Sequence, residues 1–125
     1  MFSDWFAAGP EADDFWQKYE TARGRSYREA LNSPAAQHVF HFDKTFLDRA
    51  DAVVLVTPAG KSGHLELGYS IGRGVPGYVL MESEPERWDV MLQFARGIAY
   101  SVEELTQMIL TDHVFDDERS NVVVG

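Results

Sequence analysis

The hydrophobic pattern changes character at residue 51. Residues 51–58, Asp-Ala-Val-Val-Leu-Val-Thr-Pro, hold an unbroken apolar, largely β-branched run. Continuous rather than alternating hydrophobicity predicts a strand of a parallel sheet with both faces covered. Residues 76–83, "PGYVLMES", predict a second buried strand, and 97–101, "GIAYS", a third and shorter one. Between them the period lengthens. Residues 63–74, "GHLELGYSIGRG", place Leu65, Tyr69 and Gly72 on one helical stripe that stops at Gly72-Arg73-Gly74. "EPERWDVMLQFA", 84–95, is expected to be helical. "SVEELTQMIL", 101–110, reads as an amphipathic helix with Ser101 as N-cap and Glu104 completing a capping box.

Upstream, helix is expected from Glu11 with Phe15, Trp16 and Tyr19 as its apolar positions. A short helix in 26–34 closes at Asn32-Ser33-Pro34. Residues 34–50 read as a helix to about Ala50, although "HVFHF" within them also fits a strand. The last stretch, 111–125, reads as an acidic C-terminal tail. Strands alternating with helices over short connections define an α/β fold: an open parallel sheet with helices on both faces, in one domain over 1–125. Only three strands are convincing, and the first lies past residue 50.

Composition narrows the function. A formal net charge of -9 and a pI of about 4.7 argue against binding the phosphate backbone of nucleic acid, whose partners are basic. The chain has no Cys, so thiolate metal sites, disulfides and a Cys nucleophile are excluded, which fits a cytoplasmic protein. No run of about 18 apolar residues suggests a membrane span.

The most conspicuous candidate chemistry is "TPAGKSGHLELG", Thr57 to Gly68, just after the first strand. Gly60-Lys61-Ser62 imitates the end of a phosphate loop, but five residues before Gly60 stands Leu55, so the first glycine of that motif is missing. What remains is a helix N-terminus beyond a parallel strand's carboxyl end, where open sheets bind polar and anionic ligands. Glu66, expected in the first turn of that helix, is either a glutamate favoured by the helix dipole or a carboxylate at the ligand edge able to act as nucleophile or base.

Ala50-Asp51 before the strand, the loop Gly60 to Gly63, Glu66-Leu67-Gly68-Tyr69-Ser70 and Gly74-Val75-Pro76 together resemble the nucleoside 2-deoxyribosyltransferase family. The dense part of the likeness covers about 30 residues. The resemblance implies that Glu66 attacks the anomeric carbon of a deoxynucleoside or its 5′-monophosphate. Asp43, eight residues before Asp51, would work on the leaving base; a helix N-cap role toward the Thr45 and Phe46 amides is the alternative. Transfer of deoxyribose to another base and hydrolysis share this step and stay open. Lys61 and Ser62 are candidates for the sugar 5′ end, with Lys61 as a solvated loop lysine the alternative. Gly60 and Gly63 shape the loop. His64 would line the sugar pocket or cap the helix.

Asp51, at the amino end of its strand, reads as structural. His38 and His41 lack a third ligand, so neither metal nor cofactor is called for. The resemblance also implies a homodimer or larger homo-oligomer, in which Asp89 and Met91 of "RWDVM" reach a neighbouring subunit's site.

Two departures stand out. "DWFAAGP", residues 4–10, only faintly echoes the family's opening strand, so the family's first two strands are expected to be missing. The aromatic start (Phe2, Trp5, Phe6, Phe15, Trp16, Tyr19) could form a lid over a nucleobase. Two rival classes remain: a catalytically silent nucleotide-binding module, and a partner-binding protein using the exposed aromatics and acidic tail.

Overall fold

In the computed structural model, residues 10–112 and 121–125 are described; the echo at 4–10 lies almost wholly, and most of the expected tail, 113–120, wholly, outside them. The run at residue 51 is a strand, β1 (Ala52–Val56), followed by α4 (Lys61–Gly72), β2 (Gly77–Leu80), a 3-10 helix (Val90–Phe94), β3 (Gly97–Ala99), α5 (Val102–Thr111) and β4 (Val122–Val124). Before it come α1 (Pro10–Ala22), α2 (Tyr27–Leu31) and α3 (Pro34–Asp48). The residues gather into two compact units, Phe6–Phe46 and a second that holds Leu47–Gly125. No helix among the described residues is long and apolar enough to cross a membrane.

The second unit is an α/β sheet, all parallel, in the order β3-β2-β1-β4. Both faces are covered, as the continuous apolar run requires. Val53, Leu55 and Val79 pack with Leu67 and Ile71 of α4, while Ala52, Val54 and Tyr78 pack with Leu105 and Ile109 of α5. The chirality of crossovers explains this division. Right-handed connections from β1 through β2 to β3 stay on one face; the return from β3 to β4 runs the opposite way and needs the other.

Four expectations are corrected. The buried stripe of α4 is Leu67 and Ser70 with Ile71 partly covered, not Leu65 and Tyr69, which are exposed. The helix begins at Lys61, so that Gly63, Leu67, Ser70 and Ile71 recur at i, i+4, i+7 and i+8 and face the sheet. Only Val90–Phe94 of the expected helix 84–95 is helical, and it is a 3-10 turn capped by Asp89, whose Oδ1 accepts from the Met91 amide at 2.9 Å.

The end of the expected tail is strand β4, pairing Ala52↔Val122 through Val54↔Val124. Asp51 anchors it. Its Oδ2 accepts from the Asn121 amide at 2.6 Å, and its own amide donates to the Asn121 carbonyl at 2.6 Å. Last, Ser101 accepts from the Glu104 amide at 3.1 Å, but the Glu104 carboxylate reaches one residue further than a capping box, to the Tyr100 amide at 2.7 Å.

Chain reversal after α4 needs one special residue. Gly74 takes φ +88°, while its amide donates to the Ile71 carbonyl at 2.9 Å and that of Val75 to Ser70 at 3.0 Å. This is the Schellman pattern that a Cβ would strain.

The first unit is helical. Its described interior is mostly polar: Glu20, 2% exposed, accepts from Arg25 at 2.6 Å and from the Ser33 hydroxyl at 3.1 Å, beside buried Ala30. The Arg25 hydrogen bond leads in holding the Glu20 carboxyl below its ordinary range. Ser26 and Glu29 form a complete capping box on α2. The "HVFHF" ambiguity resolves as helix, within α3.

Candidate functional site

At the carboxyl end of β1 the chain leaves the sheet. The Thr57 amide donates to the Leu80 carbonyl at 2.9 Å, the Thr57–Pro58 peptide is cis, and the backbone turns through Ala59 into Gly60. Gly60 is the N-cap of α4 and supplies no side-chain cap; no acidic residue lies in the first turn. The opening amides of this helix therefore lack the Ser–amide bonds that close α2 and α5. Gly63 has a packing reason: a Cβ there would stand 2.9 Å from Leu55 Cδ1, so glycine lets the helix start close on β1.

An open hollow of about 630 Å3 lies on the outer flank of this turn, lined by Ala59, Gly60, Lys61, His64 and Leu65. His64 Nδ1 is 2.9 Å from the Gly60 carbonyl oxygen. A carbonyl only accepts, so Nδ1 carries a hydrogen in this contact. The structure thus brings Gly60, Lys61, Ser62, Gly63 and His64 together at one helix start, with Lys61, Ser62 and His64 exposed.

Glu66 is half-buried and sits in the second turn, not the first as the sequence suggested. The dipole's influence fades within the first turn, which weakens the dipole account of this glutamate. Glu66 is not among the residues lining the hollow. One turn further, Tyr69 donates its hydroxyl to Asp48 Oδ1 at 2.6 Å, and Arg73 pairs with the same oxygen at 3.0 Å. Sequence reasoning missed this cluster: the Tyr69–Arg73 spacing was visible, but nothing local points to Asp48.

Asp43 belongs to the helical unit, the tenth residue of α3. The N-cap alternative fails, because its neighbours' amides already lie inside the helical ladder. Its Oδ1 is buried without a hydrogen-bond partner, and burial, with the Asp13 charge second, raises its pKa. His38 and His41 are exposed on α3, and among the described residues no three His, Asp or Glu side chains gather as a metal set. Asp89 is occupied as a cap, and Met91 is 58% exposed.

Comparison of the chain with protein-family models, curated proteins and solved structures returned no match.

Proposed function

We propose that the protein cleaves the N-glycosidic bond of deoxynucleosides or their 5′-monophosphates. The observation carrying this is Glu66, half-buried in the second turn of a helix that starts, uncapped, at the carboxyl edge of β1. In the reaction a Glu66 oxygen bonds the anomeric carbon as the N-glycosidic bond breaks and its electrons pass to the base. The departing base takes up its proton from water. Water or a second base then takes the sugar from Glu66, and the proton that the incoming group loses returns to water. Lys61, Ser62 and the open α4 amides would receive the 5′ end of the substrate.

The test is chromatography of free base released from a panel of deoxynucleosides and deoxynucleotides. Wild type should release base from at least one of them, and Glu66→Gln should lose about 100-fold or more in rate. Equal release by both proteins rejects Glu66 as nucleophile. A catalytically silent nucleotide-binding module is the second reading, favoured by the absence of Glu66 from the hollow's lining. It predicts nucleotide binding by calorimetry with no base released.

A further inference from the structure

The connection between β2 and β3 carries more apolar surface than it can bury. In the 3-10 helix a period of three turns Leu92 and the following Ala95 inward, where they pack against the core under α4. The other faces are apolar as well, and open. Trp88 is 82% exposed, Val90 68%, Met91 58% and Phe94 67%. Four large apolar side chains exposed within seven residues are a contiguous feature of the kind that marks an interaction surface, not the scattered exposure normal to proteins. The segment is also ordered on its own terms: Asp89 caps it, and the Arg96 amide donates to the Gly77 carbonyl at 2.7 Å.

Charge says what covers it. Glu82, Glu84 and Glu86 are all exposed immediately before Trp88, and Glu103 and Glu104 are exposed beyond β3. The carboxylate of Glu84, and after burial that of Glu104, raises the Tyr100 pKa, so this ring stands in the field of both stretches. Only Arg87 and Arg96 oppose these carboxylates between residues 82 and 104. A second copy docking here about a two-fold axis would bring the same carboxylates against each other, which electrostatic complementarity disfavours. A cationic segment with an apolar face meets both demands, its hydrophobic side on Trp88 and Phe94 and its Lys or Arg side chains among the glutamates.

We infer that residues 82–104 form a docking surface for a basic, amphipathic segment of another protein, separate from the chemistry assigned to Glu66. The experiment uses the full chain and three synthetic peptides of about 15 residues, long enough to form a helix. One carries Lys and Leu on opposite faces, one has the same Lys positions with Ser for Leu, and one has Glu for Lys. Binding is read by calorimetry at low and high salt, and self-association by sedimentation.

The Lys/Leu peptide should bind at least about tenfold more tightly than either control. Trp88→Ala with Phe94→Ser should weaken it about tenfold, as should replacing Glu82, Glu84 and Glu86 with Gln. The altered side chains are exposed, so the fold should persist, checked by circular dichroism. Equal binding of the Lys/Ser peptide, or no loss in the Trp88/Phe94 variant, overturns the proposal by reducing it to general attraction to an acidic chain. A dimer that Trp88→Ala dissolves overturns it in favour of a second copy.

Discussion

Ser70 shows most simply how one atom can work against a fold. Its side chain is fully buried on the sheet face of α4, and its hydroxyl has no hydrogen-bond partner. A buried hydroxyl without a partner carries its desolvation cost uncompensated, so Ser70→Ala should stabilise the protein by roughly 1 kcal/mol, read from thermal or denaturant unfolding. Asp43 gives a pH-dependent counterpart. Its folded pKa lies above the unfolded value, so its ionisation opposes folding: the penalty is absent below about pH 4, grows as pH rises to the raised pKa, and then holds. Asp43→Asn should therefore unfold at higher denaturant than wild type at neutral pH, the gap closing toward pH 3.5. Residue roles were legible where the partner is local, as at Ser101 with Glu104. They were hidden where it is distant: neither Asp48 beneath Tyr69 nor Asn121 beside Asp51 can be read from neighbours in sequence.

Among elements, close approach of β2 and α4 sets the tightest constraint. A Cβ on Gly77 would lie 2.7 Å from Leu67 Cδ1 and 2.8 Å from Ile71 Cγ1, two side chains held against the sheet. Gly77→Ala should cost about 1–3 kcal/mol by overpacking, measured by chemical denaturation, and truncating Ile71 to Val in the same chain should recover part of that loss. The strands β1 and β2 were legible because covering both faces demands an apolar run that loops and helices do not share. The helix expected over 84–95 was misjudged for a related reason. Its apolar residues are dense enough to suit a helix, yet only Val90–Phe94 winds, as a 3-10 turn that starts at the Asp89 cap and turns Leu92 inward. β4 was missed because three consecutive valines after an acidic stretch are too short a signal; their pairing is fixed by β1, not by themselves.

The whole chain joins two kinds of interior. In the sheet unit apolar side chains fill both faces, whereas among the described residues of the helical unit Ala30 is the one buried hydrophobic, beside the Glu20–Arg25–Ser33 network. Amide hydrogen exchange should therefore be slowest at Val53–Leu55 and Tyr78–Val79 and faster throughout α1 and α2; equal protection would contradict this division. The α/β class was readable from alternation alone, but the two-unit division was not, because helical periodicity in 10–48 looks alike whether the buried stripe is oily or salt-bridged. Strand order has a consequence for synthesis. β1 gains its neighbour β2 almost as soon as both leave the ribosome, but its other side waits for β4, tied by an Asp51–Asn121 contact 70 residues apart in sequence. Until that late piece emerges, Val53–Val56 present an unpaired hydrophobic edge to any other strand nearby. The nascent chain is thus most exposed to wrong pairing in the seconds before Asn121 is translated, and slowing elongation between α5 and β4 should lower the yield of folded protein.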